Sequence, residues 1–67
     1  MYPNLRAEMA RRRMTVREMS EKTGIKLGTL QKKMAGKSPF LITEALIISD
    51  ALDGISVDYL FSTKGGD

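Results

Sequence analysis

The stretch "TVREMSEKTGIKLGTLQKKMAG", residues 15–36, carries two apolar stripes of helical spacing with only Gly24, Ile25 and Lys26 between them. Val16, Met19, Ser20 and Thr23 fall at i, i+3, i+4 and i+7, and Leu27, Leu30 and Met34 at i, i+3 and i+7, each set marking one face of a helix. Thr15 and Glu18 have the spacing of a capping box, in which hydroxyl and carboxylate each satisfy an exposed backbone N–H at a helix start. Gly24 suits the left-handed position that ends a helix. Two short helices joined this tightly cannot lie side by side as a long hairpin; they cross steeply, and the second can stand proud of the surface. At 100° per residue its buried side is Leu27, Leu30 and Met34, while Gly28, Thr29 and Lys32 point away and Lys33 lies toward one flank.

The flanking sequence predicts three further helices. The first runs from Pro3 to Arg13, with proline at a favoured first-turn position and Leu5 and Met9 on one face. After "GKSPF", where Pro39 halts helix propagation and Phe40 reads as a core plug, a helix over 42–52 turns Ile42, Ala45, Leu46, Ile48, Ser49 and Leu52 inward and leaves Ile47 outside. Asp53 and Gly54 end it. Ser56 then caps a last short helix with Val57, Leu60 and Phe61 inward and Tyr59 outward. Nothing in residues 3–61 alternates like a strand, repeats or reads as a linker. The expected architecture is therefore one all-α domain of five short helices over residues 1–62, with 63–67 a flexible tail.

A chain of 67 residues buries only about 60% of the surface it exposes when unfolded, so its core must be small. Cysteine and histidine are absent, which removes disulfides, thiolate metal sites, imidazole bases and Ser-His triads. Ser, Asp and Glu occur without an activating constellation. The expectation is a non-enzyme with no metal, no cofactor and no small-molecule substrate. The longest apolar run, Ala45 to Ile48, is far short of the ~20 residues that span a bilayer, and no signal-peptide apolar segment opens the chain, pointing to a soluble intracellular protein.

Charge is unevenly placed. Residues 1–37 hold ten Lys or Arg against three Glu, net +7, whereas residues 38–67 hold one Lys against five acidic side chains, net −4. A basic first half is what a polyanion-facing surface needs, because cations near phosphates release condensed counterions; a merely solvated lysine-rich face gives the same count.

These segments resemble the lambda-repressor-like, or Cro/CI (XRE), helix-turn-helix family. "NLRAEMARRRMT" is similar to its first helix and loop, "TVREMSEKTGIKLGTLQKKMAGK" to its helix-turn-helix, and "EALIISDALDGISVDYLF" to its closing helices. Gly24, Ile25, Leu30, Gly36 and "SVDYLF" are the most specific marks. The "GKSPF" link and the short length look most like the small Cro-type repressors of temperate phages. The sequence also departs from the pattern: Ser20 and Thr23 stand where Ala and Leu are usual, Arg13 where Gly is common, and Leu41 in place of a capping Thr. Val16 replaces a polar, often Gln, residue that binds phosphate or base, and Leu27 and Gly28 take positions that usually present polar side chains to bases.

The resemblance implies a compact five-helix DNA-binding domain whose second and third helices form the helix-turn-helix, acting as a repressor that occludes a promoter. Its partners would be an operator in double-stranded DNA and a second copy of itself, in a bacterial cytoplasm and of phage or prophage origin. By the same resemblance Lys26, Leu27, Gly28, Thr29, Gln31 and Lys32 lie on or beside the recognition helix, Thr15, Val16 and Arg17 at the start of the second helix, and Lys37 and Ser38 at a phosphate clamp. Chemically, Lys32 can donate to guanine or phosphate, Gln31 and Thr29 can bond base edges or phosphates, and Leu27 offers only an apolar contact suited to a thymine methyl, unless it belongs to the core. Lys33 can simply snorkel, and Arg11 to Arg13 can be a solvated helix end. Arg17 sits where the helix dipole also favours anions. Ile47 and Tyr59, facing away from the expected core, are candidates for a dimer interface, and lone exposed side chains of this kind are also common. The rival expectation is a protein-interaction module on the same fold, antirepressor or antitoxin-like, which the apolar Val16 and Leu27 and the bare Gly28 would suit.

Overall fold

In a computed structural model, which describes residues 2–63, five helices follow one another: α1 Pro3–Arg11, α2 Val16–Thr23, α3 Leu27–Met34, α4 Ile42–Ala51 and α5 Val57–Leu60. No strand occurs among the described residues. The expected flexible tail falls outside them beyond Thr63. Packing is pairwise, with α2 against both α3 and α4, and α5 against both α1 and α4. Their inner faces meet in one cluster built from Leu5, Met9, Met19, Leu30, Met34, Ile48, Leu52 and Leu60. Tyr2, Phe40 and Phe61 close one end as three edge-on ring pairs with centroids 4.9–5.7 Å apart, so Phe40 is the plug its position implied.

Helix ends set the geometry. α1 stops at Arg11, two residues before the sequence expectation, because Arg13 turns left-handed (φ 52°). The Arg13 N–H then bonds the Ala10 carbonyl at 3.0 Å and the Met14 N–H the Met9 carbonyl at 2.9 Å, the paired closure of a Schellman motif. A side chain other than glycine in that conformation is strained by roughly 1–2 kcal/mol, and Arg12 offsets the strain by reaching across the fold. Its guanidinium donates to the Glu8 carboxylate at 2.8 Å and to the Leu52 carbonyl at 3.3 Å, and lies 3.6 Å from Asp53. Glu8, buried in α1, also accepts from the Tyr59 hydroxyl at 2.9 Å, while Asn4 donates to the Tyr59 carbonyl at 2.8 Å. α1 is thus tied to the α4–α5 link and to α5 by polar bonds as well as by packing. Arg11, by contrast, stays at the surface, 3.3 Å from Glu8.

α4 departs most from expectation. Its buried stripe is Ala45, Ile48, Ser49 and Leu52, while Ile42 and Leu46, expected inward, are 78% and 56% exposed. Ile42 opens the helix, and helical side chains lean back toward the N-terminus, so it projects past the end of α4. Leu46 lies one turn further along the same edge. Leu41 brings no side-chain oxygen to the cap; the Glu44 carboxylate alone serves there, accepting the Leu41 N–H at 2.9 Å.

Candidate nucleic-acid interface

The helix-turn-helix is held by two of the side chains that depart from the family pattern, Ser20 and Thr23. Ser20 donates to the Ile25 carbonyl at 2.5 Å, and Thr23 accepts the Ile25 N–H at 3.3 Å while donating to the Met19 carbonyl at 2.8 Å. Both polar groups of the turn residue are therefore satisfied by α2, and Gly24 takes the left-handed conformation (φ 78°) that the turn requires. At the other end of α3, Gly36 (φ 82°) closes a second Schellman motif: its N–H bonds Lys33 and the Lys37 N–H bonds the Lys32 carbonyl, at 3.1 and 3.0 Å. This bond fixes the Lys37 backbone against the end of α3.

An α-helix with its side chains is about 10–12 Å across, which fits the ~12 Å width of a B-DNA major groove. Leu30 and Met34 are buried, and Gly28, Thr29, Gln31 and Lys32 are exposed with Lys26 before them and Lys37 after. Lys26 makes no side-chain cap, so the first turn of α3 keeps N–H groups that no side chain covers. Lys33 is turned away from this face: its ammonium lies 2.5 Å from Glu44 on α4, with both side chains mostly covered. The pairing with Lys33, and next the Leu41 N–H, hold the Glu44 carboxyl below its usual pKa.

At the start of α2 the expected residues separate. Thr15 and Glu18 form the anticipated capping box, Thr15 accepting the Glu18 N–H at 3.1 Å and Glu18 accepting the Thr15 N–H at 2.9 Å. The bond from the Thr15 backbone lowers the Glu18 pKa. A carboxylate already occupies the positive end of this helix, so Arg17, which is exposed, would meet a phosphate through its guanidinium rather than with help from the dipole. Val16 is half-buried, packed on the central cluster and lining a shallow cavity of about 210 Å³ with Met9, Met14 and Met34. Leu27 is half-buried too but stays outside the cluster that takes in Val16 and Ile25. Ser38 is half-buried in the α3–α4 link.

The sequence reading missed Glu8, Arg12, Asn4 and Glu44 as organising residues. Glu8 and Arg12 stand four apart on one helix, which was a legible signal; the reach of Arg12 to Leu52 and of Lys33 to Glu44 was not. Ile47 is 44% exposed on α4, and Tyr59 is 38% exposed on α5 with its hydroxyl committed to Glu8. That bond raises the Tyr59 pKa. Among the described residues no group of acidic, His or Cys side chains is placed to hold a metal ion, and no helix is long and apolar enough to cross a membrane.

An all-helical fold with a helix-turn-helix whose second helix carries an exposed face with lysines on and beside it defines a DNA-binding class. Residues 4–53 match the family model of the Cro/C1-type HTH DNA-binding domain, and the chain belongs to that family. It is a DNA-binding regulator domain of a generally non-enzymatic family. The match takes in α1 to α4 and ends before α5. No curated protein and no solved structure shows a significant match to the chain.

Proposed function

We propose that the protein is a sequence-specific transcriptional repressor of phage or prophage origin, acting in the bacterial cytoplasm without cofactor or catalysis. α3 enters the major groove over an operator half-site, and the bound protein keeps polymerase off the promoter. The observation that carries this reading is the sorting of cations. Arg12 and Lys33 are spent on internal carboxylates, whereas Lys26, Lys32 and Lys37 are exposed on and beside α3 and Arg17 is exposed in the first turn of α2, and none of these four forms an ion pair among the described residues. Lys32 and Gln31, with Thr29, face base edges; Lys37 and Ser38, with Thr15 and Arg17, face phosphates. One unit reads few base pairs, so the working form is a two-fold dimer on half-sites ~34 Å apart, with Ile47 and Tyr59 in its interface.

The rival role, a protein-interaction module, draws support from the exposed Leu41, Ile42 and Leu46 at the start and along the edge of α4 and from the packing of the half-buried Val16 on the core. Titration of wild type, Lys32→Ala and Lys37→Ala against an operator selected from random duplex DNA, and against scrambled DNA at several salt concentrations, separates the two. Lys37→Ala is expected to weaken all sequences alike and flatten the salt dependence by about one unit, and Lys32→Ala to lose roughly 1–3 kcal/mol with relaxed preference at one base pair. Equal weak binding by all three proteins to both DNAs would leave the interaction module as the better account.

A further inference from the structure

Between α4 and α5 lies an open groove of about 280 Å³, and every residue lining it is apolar or aromatic. Leu41, Ile42 and Ala45 form its α4 side and Val57 and Phe61 its α5 side. Ile42 and Leu46 stand four apart on one edge, so the apolar lip continues along α4 past the groove. Leu41, Ile42 and Leu46 are all more than half exposed. A contiguous apolar surface of this kind, rimmed by polar residues, is what a protein partner covers. The suggested dimer contacts face elsewhere: Ile47 is 100° round α4 from Leu46, and Tyr59 is turned about half-way round α5 from Val57.

Charge decides what fits. Asp50 continues the stripe of Ile42 and Leu46 by one more turn, and Asp58 follows Val57 in α5. Both are exposed, and neither forms an ion pair among the described residues. Residues 38–63 contain no Lys or Arg, and the nearest cation before them, Lys37, is held by its backbone at the end of α3. Such a rim repels the phosphates of nucleic acid and of anionic lipid alike. A second copy of the chain does not supply the complement either. Its large exposed apolar side chains all lie in residues 41–59, where it has no cation, and its basic half exposes none of them. The occupant must bring apolar and basic side chains together. We propose that the groove docks a segment of another protein in which two or three branched or aromatic side chains are flanked by Lys or Arg, the apolar anchors packing beside Ile42 and Leu46 and the cations meeting Asp50 and Asp58. α3 contributes no residue to this site, so docking and DNA contact are measured separately.

The test uses the full chain and a library of short random peptides. Those kept are retained by wild type and not by the double variant Ile42→Ser, Leu46→Ser. Both substitutions fall at exposed sites, so the variant is expected to melt close to wild type and to bind DNA as wild type does. The kept peptides are expected to carry paired apolar anchors with an excess of Lys and Arg and, synthesised singly, to bind wild type at least about tenfold more tightly than the variant. A second double variant, Asp50→Lys with Asp58→Lys, is expected to weaken them about fivefold or more and to abolish the loss of binding with added salt. A selection that yields no such peptides, peptides without a basic excess, or binding indifferent to the aspartate reversal overturns the proposal. So does self-association of wild type in sedimentation that Ile42→Ser, Leu46→Ser removes, because a second copy would then fill the groove.

Discussion

α3 and α4 are helices of eight and ten residues that share one core, yet they treat their apolar residues in opposite ways. In α3 Leu30 and Met34 go in, Leu27 is half-covered, and the outward face is Gly28, Thr29, Gln31 and Lys32. In α4 four side chains form a buried stripe while Ile42, Leu46 and Ile47 remain at the surface. An outward face with hydrogen-bond donors and positive charge suits a polyanion. One with branched aliphatic side chains suits another protein surface or goes uncovered. The contrast teaches that two helices sharing one core can present chemically opposite outer faces.

The sharpest way to break this contrast is to truncate one leucine in each helix. Leu30→Ala removes a fully buried side chain from the inner face of α3 and is expected to destabilise the fold by about 2–5 kcal/mol, a large share of what so small a domain has. Leu46→Ala, at an exposed edge, should stay within about 0.5 kcal/mol of wild type. Urea unfolding of both variants checks the pair; comparable losses would mean that α4 is more deeply packed than its exposure indicates.

A smaller effect is expected at the bond between the two helices. Glu44 has a folded-state pKa lowered first by Lys33 and then by the Leu41 N–H. A lowered carboxyl pKa contributes stability above the ordinary carboxylate range, about 4.3, and loses it as pH falls through the folded value. Glu8, lowered first by Arg12 and then by Tyr59, and Glu18 act with the same sign. Wild type should therefore lose melting temperature steeply below about pH 4.3. Glu44→Gln should start lower at neutral pH and fall less steeply in acid. Identical slopes in the two proteins would show that the Lys33–Glu44 pair adds nothing to folding.

The smallest effect on stability, and the most informative on assembly, is expected from Ile47→Glu. The side chain is already 44% exposed, so folding should change by about 0.5 kcal/mol or less. If Ile47 meets a second copy on DNA, filling of a palindromic operator becomes non-cooperative. Tyr59→Ala serves as the partner variant, removing the half-exposed ring together with the hydroxyl bonded to Glu8. Unchanged cooperativity in both would place the interface elsewhere on the surface.

Periodicity was sufficient to locate all five helices, because caps and turn residues are local: Thr15 with Glu18, Gly24, Gly36 and Ser56 act within a few residues of themselves, and each does what its spacing implied. Residue chemistry along the chain also set apart the outward face of α3, since polar side chains there alternate with a narrow apolar stripe. Local pattern could not decide three things. The inward face of α4 depended on which distant segments pack against it, so Ile42 and Leu46 read as core and lie outside. The roles of Ser20 and Thr23 depended on the path of the turn, which brings the Ile25 peptide within hydrogen-bond reach of both. The sorting of cations into internal struts and outward contacts depended on where Leu52, Asp53 and Glu44 come to rest beside Arg12 and Lys33. An apolar or charged side chain has the same local signature whichever neighbour it meets, and only the packing of distant segments supplies the neighbour.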